Sequence, residues 1–311
     1  MAVSPRISVA YNFAKQGKIF ASYGHFYQLP PYWGLYSNPA YQIYTSRYLP
    51  NVGNGDLTLQ KTIGYEIGLE QILEYDLGLR IKWFYRDFRD MVGQRIYVTP
   101  NGQNYYSVWD ACDFGFSQGM MIRVSKTFFS KLITEFDYTY QSTKMNNSQP
   151  DPNEKIAPYG LDKFIEPSLF IADWNQPHTF QFHFSWQQPE NWGAALHGKI
   201  ASGYPYTQKS YDPIKDTARL NTGQGPLQLD LDLVAYKTFP IWLGSKKTGL
   251  TFDLKIYNLL DRLNEKTVWP SSGTSTHPIE LVQQQMSAEW MNRPFWYGKP
   301  REILLGLHYD F

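Results

Sequence analysis

Cysteine is nearly absent: Cys112 is the one thiol in 311 residues. A lone cysteine excludes an internal disulfide framework, and the ordinary expectation for it is a small buried hydrophobe. No run of about 18 apolar residues occurs, so no transmembrane helix is expected. The opening MAVSPRISVAYNF has no basic segment followed by an apolar one, so no secretory leader is expected within it. An excess of one charge sign is lacking too. The net charge is +1, which supplies no strong field to draw nucleic acid. Helical periodicity hardly shows.

Aromatic residues are plentiful instead, at 17% with 24 Tyr and 10 Trp. Tyr and Trp suit places where one end of a side chain is apolar and the other wet, such as membrane interfaces and sugar-binding surfaces. Period-two alternation recurs along the chain. Ile63, Tyr65, Ile67 and Leu69 alternate with Gly64, Glu66, Gly68 and Glu70. Leu79, Ile81, Trp83 and Tyr85 alternate with Arg80, Lys82 and Arg86. Phe180, Phe182, Phe184 and Trp186 oppose Gln181, His183 and Ser185. Leu229, Leu231 and Leu233 oppose Asp230 and Asp232, and Phe252, Leu254 and Ile256 oppose Asp253 and Lys255.

The pattern predicts an all-β chain of about eleven strands: 5–13, 18–27, 61–73, 76–87, 113–126, 131–143, 178–187, 190–202, 226–239, 248–260 and 301–311. Most run to ~9–14 residues, and at ~3.3 Å per residue and a tilt near 45° some nine to eleven cross a bilayer's hydrocarbon layer. Connections alternate short and long. Ala14–Gly17, Glu74–Tyr75, Thr127–Ser130, Gln188–Pro189 and Pro240–Lys247 are short, whereas 28–60, 88–112, 144–177, 203–225 and 261–300 are long. A membrane barrel sorts its connections this way, with short periplasmic turns and long outer loops. Within 88–112, Arg95–Val98 and Asn104–Val108 flank a turn and predict a protruding hairpin. The apolar face then meets lipid. The polar face, with Glu66, Glu70, Arg80, Lys82, Asp230, Asp232, Asp253 and Lys255, then lines a wet lumen.

SPRISVAYNFAKQGKIFASYGHFYQLPP, LTLQKTIGYEIGLEQIL, LGLRIKWFYRDFRDMVG, LDLDLVAYKTF, LTFDLKIYNLLDR and the closing REILLGLHYDF resemble, in order, the barrel of TonB-dependent outer-membrane receptors. The resemblance implies a Gram-negative outer-membrane location, a 22-stranded barrel around an N-terminal plug, and import of a scarce nutrient energised through TonB. Eleven strands then form the C-terminal half, residues 1–311 being one barrel portion. The plug, the TonB-contacting segment and the first strands are expected upstream. A truncated gene, a fragment and one piece of a split receptor all stay open as origins. The resemblance also makes the last strand, ending at Tyr309 and Phe311, the barrel-closing strand and the signal for the barrel-assembly machinery.

No catalytic set emerges, so an enzyme is not expected. GFSQG, Gly115 to Gly119, has the spacing of a nucleophile elbow, but a strand rather than a helix follows it. His178 and His183 stand on opposite faces of one strand and do not share a metal. Asp230 and Asp232 share a face, about 7 Å apart, and read as solvated charges. Gly53 to Asp56 is a turn without a phosphate-loop pattern. No other His, Cys or carboxylate cluster has ligand spacing, so neither a protein-held metal nor a cofactor is expected. The candidates for nutrient binding are loop aromatics and one cation: Tyr32, Trp33, Tyr36, Tyr41, Tyr44, Arg47 and Tyr48, with Trp290 and Trp296 in the last long loop. Mutual packing of these rings is the alternative. The nutrient class, a small molecule such as a siderophore or cobalamin, a peptide or a glycan, stays open. A soluble all-β glycan-binding module is the second reading.

Overall fold

The computed structural model describes residues 2–38, 50–98, 105–146, 169–188, 191–208, 220–243, 246–279, 287–291 and 293–310. The strands are β1 (Arg6–Ala14), β2 (Gly17–Gln28), β3 (Asn51–Val52), β4 (Gln60–Leu73), β5 (Leu77–Val98), β6 (Tyr105–Phe128), β7 (Leu132–Met145), β8 (Phe170–Ile171), β9 (His178–Gln188), β10 (Trp192–Ala201), β11 (Pro205–Tyr206), β12 (Gly223–Gln224), β13 (Gln228–Leu243), β14 (Lys246–Tyr257) and β15 (Glu302–Asp310). The long ones pair antiparallel in the order β1-β2-β4-β5-β6-β7-β9-β10-β13-β14-β15, and this path holds the predicted strands in sequence. Among the described residues, two short α-helices, α1 (Tyr32–Tyr36) and α2 (Ala288–Met291), lie in long connections.

Two strands run much further than the alternation indicated. β5 continues to Val98 and β6 begins at Tyr105, so most of the expected loop 88–112 is ladder. The predicted hairpin is the outer end of this pair. The register shifts between Phe88 and Met91, and Asp90 there adopts φ 56°. A bulge adds a residue on one strand and exchanges the two faces, which hides the continuation from a period-two reading. GFSQG lies inside β6. Cys112, also in β6, is half-buried rather than buried.

Short turns sit at one end of the sheet. At the β6–β7 turn the Lys131 amide donates to the Phe128 carbonyl at 3.0 Å, with Phe129 and Ser130 at φ 51° and 56°. Positive φ at both central residues gives the twist that antiparallel strands need.

The register settles how the faces are arranged. Directly paired residues share a face. Ile67 pairs with Trp83, Leu196 with Leu233 and Leu254 with Leu305, while Glu70 pairs with Arg80 and Lys199 with Asp230. The apolar side is the more exposed one: Leu305 is 81% exposed and Trp83 50%. On the polar side, the side chains of Lys82 and Asp253 are only 22% and 16% exposed, while those of Lys18, Arg80 and Arg123 reach 44–50%. A soluble module buries its apolar face. This sheet does the reverse, so the glycan-module reading is set aside.

Candidate functional site

A row of polar residues runs across the sheet at constant register. Lys18, Glu70, Arg80, Arg123, Asp137, Gln181, Lys199 and Asp230 are successive cross-strand partners. Lys18 is close to the short turn of its strand, whereas Asp230 is close to a long loop. The row therefore climbs from one rim to the other, as it must when strands are staggered and tilted. Glu70 bridges Lys18 at 2.8 Å and Arg80 at 2.5 Å, and Arg123 bridges Asp137 at 2.6 Å. One turn higher along the strands, Glu66 holds Lys82 at 3.1 Å. Near the short-turn rim, Lys18, Glu70, Arg80, Arg123 and Glu135 line a cavity of about 520 Å³.

The expected polar-face residues do share one face, but they are not all free charges. The Asp230 carboxylate accepts from the Asn264 amide at 2.8 Å, and Asp232 accepts from the Asn258 backbone N–H at 2.8 Å. Both tether the last long connection. Asp253 pairs with His308 at 2.6 Å. Lys255 lies between Val234 and Leu304 in register.

At the long-loop end, a second cavity of about 510 Å³ is lined by Asp173, Trp174, Tyr204, Tyr206, Glu265 and Lys266, among others. Buried asparagines build it. Asn221 donates to the Ile171 carbonyl at 2.7 Å and to Asp173 at 2.6 Å. Asn264 accepts from the Leu229 N–H and donates to its carbonyl, both at 2.9 Å. Asn258 donates to the Arg262 and Lys299 carbonyls, both at 3.0 Å, and so ties the two stems of one loop. A carboxamide carries both a donor and an acceptor, so it continues a ladder where the strand has ended.

Of the predicted ligand contacts, Tyr32 and Tyr36 are exposed and stack on each other with centroids 6.4 Å apart. Trp33, on the same helix, packs edge-on against the buried Trp109 at 4.4 Å, so it anchors α1 as well as facing out. Trp296 packs on Trp269 at 4.7 Å with Arg293 over both rings, and braces its loop. Tyr41, Tyr44, Arg47 and Tyr48 lie outside the described residues, as do the Trp290 side chain and Phe311. Tyr309 is in β15 opposite Leu250. The second cavity's Trp174, Tyr204 and Tyr206 were not expected. The asparagines at strand ends were the signal available for them. Beside this cavity, burial and then the Glu265 carboxylate push the Tyr297 phenol above its ordinary range.

The family model described as TonB-dependent receptor-like β-barrel matches residues 1–259. The chain belongs to the TonB-dependent receptor β-barrel family. A search of curated proteins found no match. Among solved structures, the outer-membrane transporter YddB of Escherichia coli is 14% identical with a TM-score of 0.62, over 86% of this chain and 38% of that one. A mutant of the ferric enterobactin receptor PfeA of Pseudomonas aeruginosa is 13% identical with a TM-score of 0.61, over 99% and 40%. The ferric-catecholate import receptor Fiu of E. coli K12 is 16% identical with a TM-score of 0.52, over 98% and 34%. This chain therefore spans well under half the length of these receptors. As a TonB-dependent receptor barrel portion it is an outer-membrane protein of the Gram-negative type, with short periplasmic turns and long extracellular loops.

Proposed function

We propose that the chain supplies the wall and outer loops of a receptor that imports a scarce nutrient across the outer membrane. The observation that carries this reading is the inverted sheet: large apolar residues are exposed on one face, while on the other the salt-bridged carboxylates Glu66, Glu70, Asp137 and Asp253 are sheltered by their basic partners. Lipid covers the first face in this reading, and a water-filled lumen borders the second, with Glu66, Glu70, Arg80, Lys82, Asp253 and Lys255 on its wall. Among the described residues, β1 and β15 are the two edges of the sheet. Ten antiparallel steps separate them, so they run the same way and cannot close on each other antiparallel. Closure takes an odd number of further strands, because an open edge in lipid leaves peptide groups unsatisfied. The expected N-terminal strands supply these around the plug, TonB acts through that missing part, and the assembly machinery reads the strand ending at Tyr309 and Phe311. No catalytic role is assigned.

The ligand meets the outer loops, where Tyr32 and Tyr36 on one side, and Trp174, Tyr204 and Tyr206 on the other, offer rings beside Asp173, Glu265 and Lys266. Rings with both charge signs suit a small polar ligand of mixed character, such as a siderophore. The test is quenching of tryptophan fluorescence by a panel of ferric siderophores, cobalamin, peptides and oligosaccharides, with growth on the limiting nutrient as the second readout. Trp174→Ala and Tyr206→Ala are expected to weaken one ligand at least tenfold. A panel that binds nowhere, or binds equally to both variants, removes the loop assignment.

A further inference from the structure

Two imidazoles on the polar face, His183 and His197, have no part in the import reading. His183 of β9 lies directly opposite His197 of β10. The same register row puts Glu135 of β7 opposite His183, and Asp232 of β13 opposite His197. Four adjacent strands thus present acid, imidazole, imidazole, acid in a line. The two imidazole centroids are 6.2 Å apart. Metal–nitrogen bonds of about 2.0 Å place two ring centroids on a common ion roughly 4–6 Å apart, so a small turn about the side-chain bonds brings both rings onto one ion. Among the described residues, neither imidazole has a hydrogen-bonding partner, and His197 is exposed. Their nitrogens are therefore available to a ligand. No three His, Cys, Asp or Glu side chains among the described residues already converge on one point. A metal ion held here would therefore rest on the two imidazoles, with the flanking carboxylates supplying charge. The Asn258 N–H occupies one Asp232 oxygen, and Glu135 lies with Arg123 in the lining of the first cavity.

We propose that His183 and His197 form a cross-strand binding site for a borderline divalent transition metal ion, of the copper or zinc class that imidazole prefers. The assignment does not depend on import, because the pair follows from sheet register alone.

The test titrates Cu²⁺, as its sulfate in a non-chelating buffer, into the protein as the cell makes it, extracted in detergent. Pulsed electron paramagnetic resonance counts the bound imidazoles. One tightly bound ion with two imidazoles is expected. His183→Asn or His197→Asn should leave one imidazole and weaken binding by about 100-fold, the scale on which linking two ligands raises affinity. His178→Asn, on the opposite face of β9, should change nothing. Should the asparagine forms not fold, protection of histidines from diethylpyrocarbonate gives the same decision in the unsubstituted protein. One equivalent of Cu²⁺ should shield His183 and His197 together and leave His178 reactive. A spectrum with fewer than two imidazoles, unchanged binding in both variants, or shielding that misses the pair overturns the proposal.

Discussion

Leu304 and Leu305 are neighbours in the middle of β15, identical in side chain and opposite in face. Leu305 pairs with Leu254 on the apolar side, and Leu304 pairs with Lys255 on the polar side. Substituting each in turn by arginine isolates what each face touches. At Leu305 the guanidinium enters the lipid layer near its middle, where an arginine on a barrel's lipid face costs about 2–4 kcal/mol. At Leu304 it enters the polar face. The penalty there is repulsion from Lys255, about 0.2–1 kcal/mol for a cross-strand pair. The difference, about 1–4 kcal/mol, corresponds to roughly fivefold to several-hundredfold in the folding equilibrium. Urea titration of the protein in phosphatidylcholine vesicles measures both variants. Equal costs, or a larger cost at Leu304, would show that the exposed leucines meet water and that the membrane assignment is wrong.

Asn258 sits at φ 51° and ties both stems of the last long loop. Asn258→Ala should cost about 2–4 kcal/mol, combining lost buried hydrogen bonds with left-handed strain. Asn258→Gly should recover about 1 kcal/mol of it, as read from urea midpoints. Ser130→Gly, at φ 56° in the β6–β7 turn, should stabilise by about 1 kcal/mol because glycine adopts that conformation without a Cβ clash. The raised Tyr297 phenol works in the opposite sense to a depressed carboxylate. Its folded form holds the proton longer than its unfolded form, so its stabilisation is intact below about pH 10, the unfolded value, and fades as pH rises through the folded value. Trp269 and Trp296 fluorescence should report loosening of this loop in alkali, and Tyr297→Phe should abolish that phase.

The alternation of Ile63 to Glu70, and of Leu229 to Asp232, was enough to mark strands, because a strand's side chains change face at every residue whatever surrounds it. The sorting of short and long connections was legible for the same reason: turns and loops separate such runs. β5 and β6 were read too short because the bulge near Phe88–Met91 exchanges faces, and a period-two pattern does not survive that exchange. The loop aromatics were visible as residue types, but Trp33 and Trp296 turned out to brace their loops against Trp109 and Trp269. His178 and His183 could be separated from spacing alone. The pairing of His183 with His197 could not, because it depends on how β9 and β10 slide against each other.

By itself, then, the sequence determined which residues lie in strands and which of them share a face within each strand, since the backbone's two-residue repeat is local. Only the tertiary structure decided which face is sheltered, which residues of different strands stand opposite, and which loops meet around Tyr206. Those outcomes rest on inter-strand register and on the long-range placement of loops, and no short stretch of chain encodes either.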